Sequence, residues 1–406
     1  MLKVLHTADW HLGKRLQNQD LSTYQAAFLE WLIAYIQAQE IDVLLLSGDV
    51  FDLANPPSRA RELYYQSLHQ LSRTGVQMVI TGGNHDSPAV LNAPRELLST
   101  LGIHVFGRLR PDWSEHLVPL GPPAAPQAVV AAVPFLRDSE LPHLAPGQNY
   151  PERAAALRAG LQEVYHHLAR EAQHRYPGLP LLGMGHLYAV GAHTSASERE
   201  IQIGNQAAVS ADIFPPAYQY LALGHIHRPQ AAGAAHLRYA GSPVPLSFSE
   251  RQDTKQVRVW AGGPNVAPQH QEVPLPAWIK LRRLQGTWPE VRQKLREMSS
   301  GEADTWIELI IQLEQPDPQL PAQVEEVVGH FNEQQGARVV KYRLDAGAQR
   351  GTESYFAAGT AVDELQPKDV FQSSLEQQSL PPEDHRLLTE AFEDLLQEYY
   401  QQADAS

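Results

Sequence analysis

The chain of 406 residues contains no cysteine. This absence excludes a disulfide framework, thiolate metal ligands and a cysteine nucleophile, although it does not fix the redox compartment. No stretch reaches the roughly 18 apolar residues that a membrane-spanning helix needs. His6 and Asp9 interrupt the short apolar run at the N-terminus, which is therefore a poor signal-peptide core. We expect a cytoplasmic protein that does not associate with membranes.

Positive charge is also scarce, because 32 basic residues face 46 acidic ones and the net charge is −14. Such a balance argues against a simple nucleic-acid binder. The charge is unevenly distributed: residues 251–300 hold nine basic and four acidic residues, whereas 351–406 hold two basic and twelve acidic ones. The basic block could contact phosphate groups, and the acidity of the C-terminal part need not face a polyanion.

Short apolar runs alternate with helical periodicity over the first hundred residues, which predicts an α/β sheet. Predicted strands are Leu2–Thr7, Val43–Leu46, Val76–Thr81, Ala128–Phe135, Leu181–Met184, Tyr218–Leu223, Ile279–Leu284, Trp306–Leu313 and Ala337–Leu344. Predicted helices are 20–40, 58–73 and 152–173, two more within 277–345, and a C-terminal helix with an apolar stripe.

Glycine and proline are concentrated in residues 262–276, where we predict a domain boundary. The chain then divides into a large domain over 1–270, a compact α+β module over 277–345, a linker over 346–364 and a helical tail over 365–406. The length of the chain is consistent with two to three domains.

Five short polar motifs follow predicted strands, in the place where ligands bind in α/β sheets. These motifs are Asp9-Trp10-His11, Gly48-Asp49-Val50-Phe51-Asp52, Gly83-Asn84-His85-Asp86, Gly185-His186 and Gly224-His225-Ile226-His227. Each motif alone could be structural, since Asn and Gly favour turns and a single histidine is more often a satisfied polar residue. Five motifs in order, each after a strand, favour a functional site.

The residue types in these motifs suit divalent first-row metal ions. Candidate ligands are Asp9, His11, Asp49, Asn84, His186, His225 and His227. Seven ligands with one bridging carboxylate fit two ions better than one, and paired ions clamp the attacking and leaving oxygens of a displacement at phosphorus. His85 is not counted among the ligands and could donate a proton or stabilise charge, while Asp52 and Asp86 are expected to orient histidines.

The set DxH…GDxxD…GNHD…GH…GHxH resembles the calcineurin-like metallophosphoesterase superfamily. The phrases LKVLHTADWHLGKRL, LLLSGDVFDLANPPSRA, ITGGNHDSPAVL, LALGHIHRPQ and YAGSPVPLSFSE resemble, more narrowly, the SbcD family of bacterial nuclease subunits, which is related to the Mre-type repair nucleases. The stretches ELQPKDVF and LLTEAFEDLL near the C-terminus are similar to that family too. The resemblance therefore extends over essentially the whole chain.

The resemblance implies an α/β fold: a calcineurin-like metallophosphoesterase β-sandwich core flanked by helices, with a small α+β capping domain and a C-terminal helical tail. It implies ligand sets for two ions, Asp9, His11, Asp49 and His227 for one and Asp49, Asn84, His186 and His225 for the other. Asp49 would bridge, and His85 would be the catalytic histidine. The family usually works with Mn2+, while the sequence leaves zinc, iron and cobalt open.

The resemblance also implies a function in DNA repair, recombination and replication. The family hydrolyses DNA phosphodiesters, as an exonuclease on duplex ends and as an endonuclease on hairpins or single strands. It works with the SbcC ATPase, as a heterotetramer in which residues 365–406 would dock on the coiled coil of SbcC. The capping domain would help place the DNA, and residues 58–73 and 88–100 could form a homodimer face, although their leucines could equally face the core.

The sequence leaves two alternatives open, one for the basic residues and one for the function. Basic residues of the α+β module over 277–345, which we call the capping module, could contact DNA or form a solvated face; they are Arg282, Arg283, Arg292 and Lys294. The metal motifs alone would also fit a phosphatase or cyclic nucleotide phosphodiesterase acting on small substrates, or an inactive scaffold. The capping module and the tail argue against a small-substrate enzyme, and the intact ligand set argues against a scaffold.

Overall fold

The computed structural model describes residues 1–143, 150–189, 192–195, 198, 209–298, 304–313, 315, 317–333 and 336–345, and the single positions 371, 375, 388, 389 and 392. These residues belong to two compact units, one formed by Met1–Leu313 and Asp317–Asp345 and the other by Glu314–Pro316 and Ala346–Ser406. The predicted linker over 346–364 and most of the predicted tail helix lie outside the described residues.

The first unit contains a sandwich of strands followed by a smaller sheet. Its strands are β1 (Leu2–Thr7), β2 (Arg15–Leu16), β3 (Gln19–Asp20), β4 (Val43–Ser47), β5 (Gln77–Thr81), β6 (Ile103–Phe106), β7 (Leu117–Leu120), β8 (Ala128–Ala132), β9 (Leu181–His186), β10 (Tyr218–Gly224), β11 (Gln230–Ala232), β12 (Ala234–Tyr239), β13 (Gln256–Gly263), β14 (Val266–Pro274), β15 (Lys280–Thr287), β16 (Thr305–Gln312) and β17 (Arg338–Asp345). Its helices are α1 (Ser22–Gln39), α2 (Ser58–Ser72), α3 (Pro88–Asn92), α4 (Arg95–Ser99), α5 (Tyr150–Arg175), α6 (Trp288–Glu297) and α7 (Leu320–Asn332).

Two six-stranded sheets form the sandwich, in the orders β14-β13-β1-β4-β5-β6 and β11-β12-β10-β9-β8-β7. Strands β1, β4, β5 and β6 run parallel, as do β8, β9, β10 and β12. Apolar side chains from both sheets pack together in one cluster between them. Helices α1 and α2 pack on the outer face of the first sheet, and α5 packs on that of the second. The predicted sandwich flanked by helices is confirmed.

Strand β4 shows why an inner strand can be an apolar run along almost its whole length. Val43 and Leu45 contact the opposite sheet, whereas Leu44 and Leu46 pack under the helices. A strand that is covered on both faces has no position for a polar side chain until it ends. The polar motifs therefore begin where these strands leave the core.

The glycine- and proline-rich segment 262–276, where the sequence predicts a domain boundary, contains a strand. Residues Val266–Pro274 form β14, which pairs with β13 as an antiparallel hairpin at the edge of the first sheet. The side chains of β14 are almost all exposed. An edge strand of this kind tolerates Pro268, because an edge N–H need not enter the ladder.

A three-stranded parallel sheet, β15-β16-β17, follows the sandwich and carries α6 and α7. Its own apolar core includes Val291, Ile307 and Leu309. Further apolar contacts join this sheet to the sandwich, with Trp306 packing in the same cluster as Phe248. Both parts belong to one compact unit, and the domain limits stated above stay a prediction.

None of the helices in the described part of the chain combines the length and apolarity that a bilayer crossing requires.

Acid should destabilise this fold through His116. The His116 Nδ1–H donates to Ala132 O at 2.7 Å, and Nε2 accepts from the Arg110 N–H at 3.0 Å, so the buried ring is neutral. Burial lowers the pKa of His116 to about 4. The unfolded chain binds this proton near pH 6.5, so stability is lost as pH falls below that value, by about 2 kcal/mol from pH 7 to pH 5. Urea unfolding of wild type and His116→Gln at pH 7 and pH 5 measures this loss of stability. An equal change in the free energy of unfolding between the two pH values in both proteins would contradict the prediction.

Candidate metal centre

All seven candidate ligands are brought together at the carboxyl ends of strands from both sheets. Asp9 and His11 follow β1, Asp49 follows β4 and Asn84 follows β5. His186 ends β9, while His225 and His227 follow β10. Six of the seven side chains are buried, and Asn84 is partly buried. The sandwich therefore builds one polar centre from five separate parts of the chain.

The first group of ligands joins Asp9, His11 and His227, whose ligand atoms lie within 4.8 Å of one another. The Nε2 atoms of His11 and His227 are only 3.2 Å apart. Asp49 Oδ2 lies 3.5 Å from His11 Nε2, at the edge of the same group.

The second group surrounds Asn84, whose Oδ1 lies 2.9 Å from His186 Nε2 and 3.2 Å from His225 Nδ1. Asp49 Oδ2 is 3.3 Å from His186 Nε2. The same carboxylate oxygen thus faces one histidine of each group. This position is the one that a bridging ligand would occupy.

The donor set fits divalent cations. Asp9 Oδ2 is buried without a hydrogen-bond partner among the described residues, although Oδ1 accepts from the His225 N–H at 2.8 Å. A buried carboxylate oxygen without a partner is costly unless a cation compensates it. Imidazole nitrogens and carboxylate oxygens converge around it, which is the chemistry of first-row metal sites.

The outer nitrogens of the histidines are held by oxygens. His11 Nδ1 lies 3.2 Å from Asp52 Oδ1, and His186 Nδ1 lies 3.1 Å from Ser47 O. His85 Nδ1–H donates to Asp52 O at 2.7 Å. Because each oxygen is an acceptor, a proton sits on Nδ1 of His11 and His186, and their Nε2 atoms are left to face a bound ion in the centre. Asp52 contacts the outer nitrogen of His11, and its role in orienting that ring stays a prediction.

Asp86 differs from its predicted role, because it does not orient a histidine among the described residues. Its carboxylate accepts from the backbone N–H groups of Val50, Phe51 and Gly83, at 3.1, 3.0 and 2.8 Å. It therefore ties the Asp49 loop to the Asn84 loop. Arg137 donates to Asp86 O at 2.9 Å and holds the other side of the same turn.

Close packing of the loops explains two of the glycines in the motifs. A Cβ on Gly83 would overlap Asp49 Oδ1 and its backbone N, and one on Gly224 would overlap Ser47 O. Glycine at these positions lets the loops approach closely enough to share Asp49. The backbone of other site residues is left-handed, with positive φ at Asp9, His11, Asp49 and His225.

The electrostatics of the centre follow from burial of opposite charges together. Burial, aided by the nearby Asp49 carboxylate, raises the pKa of Asp9 to about 7. Burial alone would raise the pKa of Asp49, but His186 and His11 hold that pKa well below its usual range. Burial alone would lower the pKa of His186, yet Asp49 raises it to about 9. The centre is therefore a place where positive charge is stabilised.

Sequence reasoning missed three buried residues next to His227. Glu198 Oε1 accepts from the His227 N–H at 2.8 Å, and Glu250 lies on the Nδ1 side of the ring. Lys255 pairs with Glu250 at 2.5 Å. The signal for Glu250 was its position as the one acid in the otherwise uncharged phrase YAGSPVPLSFSE, while Glu198 and Lys255 had no recognisable pattern.

The basic block is only partly at the surface. Lys255 is buried, and so is Arg258, which pairs with Glu272. Among the candidate DNA contacts of the capping module, Arg282, Arg292 and Lys294 are exposed, whereas Arg283 is partly buried and pairs with Glu308 at 2.7 Å. Lys294 Nζ also donates to Gln285 O at 2.8 Å.

Comparisons with known proteins place the chain among phosphoesterases. A family model described as calcineurin-like phosphoesterase matches residues 2–229, and one described as type 5 capsule protein repressor C-terminal domain matches residues 278–379. The chain is 41% identical to the SbcD subunit of the SbcCD nuclease of Rhodobacter capsulatus, over 71% of this chain and 73% of the relative. It is 35% identical to the same subunit of the SbcCD nuclease of Escherichia coli K12, over 76% and 78%. The crystal structure of TT1561 of Thermus thermophilus is similar with a TM-score of 0.37 and 13% identity, over 67% of this chain and 98% of that one.

Substitution of Gly83 should disturb the metal centre, although Gly83 is not itself a candidate ligand. We expect Gly83→Ala to push Asp49 away from the histidines, because the new methyl group overlaps its carboxylate. Mn2+ affinity measured by titration calorimetry should fall about 10-fold or more, the size of effect that positioning changes have at metal sites. Gly329→Ala is the matched control, since a Cβ there meets nothing within 4 Å. Unchanged Mn2+ binding by a folded Gly83→Ala protein would contradict the central place of Asp49.

Proposed function

The chain belongs to the calcineurin-like phosphoesterases and, among them, to the SbcD family of nuclease subunits, and from this premise we propose that it is a metal-dependent nuclease that hydrolyses DNA phosphodiesters. The observation that carries the proposal is the position of Asp49 Oδ2 between His11 of one ligand group and His186 of the other. We extend the proposal to exonuclease action on duplex ends and endonuclease action on hairpins or single strands.

Two divalent ions, most simply Mn2+, would be held by the two groups described above. Asp9, His11, Asp49 and His227 would hold one, and Asp49, Asn84, His186 and His225 the other. When bound, such ions supply positive charge that stabilises the phosphoryl group during displacement. The mixture of nitrogen and oxygen donors supports a first-row ion.

His85 is the residue that we propose to move a proton. Its Nδ1–H is committed to Asp52 O, so exchange takes place at Nε2. Its backbone N–H donates to Asp49 Oδ1 at 2.9 Å, which fixes the ring beside the ligand groups. The ring also packs edge-on against His11, with centroids 4.6 Å apart. A proton delivered from Nε2 would leave with the departing DNA oxygen.

The DNA would lie across the capping module and the mouth of the centre. Arg282 lines a cleft of about 380 Å³ together with Arg251 and Trp278, between the sandwich and the capping module. We propose that Arg282, Arg292 and Lys294, which are exposed, contact phosphate groups, with a smaller contribution from Arg283, which is partly buried. Action on chromosomal DNA would place the protein in the cytoplasm.

An SbcC-type ATPase is the proposed partner, in a heterotetramer that contains two copies of this chain. The segment 365–406 would bind it, and two described residues there, Phe371 and Phe392, stack with ring centroids 3.9 Å apart. A homodimer is supported by large apolar side chains left exposed in and near α2 and α4; they are Leu53, Tyr65, Leu97 and Leu101. Among the leucines of residues 58–73 and 88–100, Leu97 is exposed, whereas Leu68, Leu71, Leu91 and Leu98 face the core.

A cleavage assay tests the proposed function. Labelled duplex and hairpin DNA should be cut in Mn2+ and protected in EDTA, and the pattern should change when the ATPase is added. Asp49→Ala should reduce cleavage below detection, because the shared carboxylate serves both ligand groups. Hydrolysis of p-nitrophenyl phosphate without any cleavage of DNA would instead indicate a small-substrate phosphoesterase. No hydrolysis with any divalent ion would indicate a scaffold.

Substitution of His85 separates proton transfer from metal binding. His85→Ala should slow DNA cleavage about 10²- to 10⁴-fold, the usual contribution of a general acid. Mn2+ affinity, measured by calorimetry, should stay within a few-fold of wild type. His11, Asp52 and His85 also lie close enough together to hold an ion, so loss of a bound ion in His85→Ala would show that His85 is a ligand and would refute the proton-transfer role.

A further inference from the structure

The side of His227 that faces away from the metal centre is lined by two buried carboxylates. Its Nε2 faces His11, whereas its Nδ1 lies 3.8 Å from Glu250 Oε1 and 3.9 Å from Glu198 Oε1. The side chains of Glu250 and Glu198 are only 0% and 4% exposed. Both carboxylates therefore exert their charge on this imidazole with little screening by water.

Glu250 is held in place by a network of donors. Lys255 Nζ binds Glu250 Oε2 at 2.5 Å and also donates to the backbone oxygen of His227 at 3.0 Å. Hydroxyl and amide donors complete the shell of Glu250; they are Ser242 Oγ, Leu246 N, Ser247 Oγ and Ser195 Oγ. The carboxylate is thus fixed relative to both the ring and the backbone of His227.

Glu198 secures the backbone on the other side. Its Oε1 accepts the His227 N–H at 2.8 Å while facing the ring as well. With Lys255 on the carbonyl oxygen and Glu198 on the N–H, both backbone groups of His227 are tied to buried charged side chains. These two bonds fix the backbone from which the ring extends into the centre.

Stability alone does not account for such a network. Burying an ion pair costs desolvation, and well-packed apolar residues are often as stable or more so. The charges here converge on one candidate metal ligand. A carboxylate on the outer nitrogen of a histidine ligand fixes its tautomer and raises its basicity.

We propose that Glu250 and Glu198 are positioning residues for His227, which keep the proton on Nδ1 and direct the Nε2 lone pair into the metal centre. The inference rests on the proposed role of His227 as a ligand. It assigns to Lys255 the task of holding the Glu250 carboxylate in place, rather than contact with DNA.

Glu250→Gln tests the inference, because the amide keeps the shape and loses the charge. In metal-free protein labelled with 15N-histidine, the Nε2-protonated tautomer of His227 should gain population relative to wild type. Mn2+ titration followed by calorimetry should show about 10- to 100-fold weaker binding of one ion. Glu308→Gln is the matched control, since Glu308 is a buried glutamate that pairs with Arg283 and Lys341 in the capping module; both readouts should stay as in wild type.

Unchanged tautomer and unchanged Mn2+ affinity in Glu250→Gln would overturn the inference. Should that variant fail to fold, Glu198→Gln decides in its place, because its amide oxygen can still accept the His227 N–H while the charge on Nδ1 is lost. Both readouts are independent of DNA cleavage. If Glu250→Gln changes the tautomer population and the Mn2+ affinity but the wild-type protein cuts no DNA, the nuclease proposal alone is refuted. If the wild-type protein cuts DNA and Glu250→Gln changes neither readout, this inference alone is refuted.

Discussion

The Asp49 carboxylate is the interaction on which the rest of the centre depends, because loops from both sheets meet around it. Oδ2 faces His11 of the first sheet at 3.5 Å and His186 of the second at 3.3 Å, and Oδ1 accepts the backbone N–H of His85. His11, Asp49 and His85 all follow strands of the first sheet, so a shift of one sheet against the other would change the distance from Asp49 to His186 and break the link between the two groups. The apolar cluster between the sheets is therefore a condition of the chemistry as well as of stability.

Holding the loops this close requires unfavourable backbone conformations. Left-handed φ at non-glycine residues costs on the order of 1–3 kcal/mol each when the surroundings impose it. The structure places four such residues in the centre: Asp9, His11, Asp49 and His225. Backbone hydrogen bonds between neighbouring loops, from Asp9 N to Gly48 O and from His11 N to Asp49 O, stabilise these conformations. Several strained backbone conformations in one centre are typical of a functional site, because they do not contribute to stability.

The part of the fold that sequence could predict is the part buried on both faces. Strand β4 is an apolar run up to Ser47, β1 and β10 are mostly apolar, and the bounds of all three agree with prediction to within one residue. Strand β14 has exposed side chains and Pro268, so its pattern gave no sign of a strand and suggested a boundary instead.

The same limit applies to the centre. Its ligand candidates are recognisable because each lies at a strand end or within four residues of one, which is a local signal. The partners of those ligands depend on contacts between distant parts of the chain. Asp86 was expected to orient a histidine and instead joins two loops through backbone N–H groups. Glu250 and Lys255 went unrecognised because a charged residue in sequence carries no mark of being buried.

Charge balance links metal binding to substrate binding in this chain. The net charge of −14 repels DNA at long range, and part of the basic block is neutralised inside the protein, where Lys255 pairs with Glu250 and Arg258 with Glu272. At the centre itself, the carboxylates of Asp9 and Asp49 would repel a phosphodiester. Two divalent cations would more than neutralise these two carboxylates and leave the centre attractive to a phosphate group. If the candidate ligands hold these ions, the same ligand set would both support hydrolysis and allow an acidic protein to accept a polyanion. The exposed arginines and lysine of the capping module would then have the smaller task of orienting it.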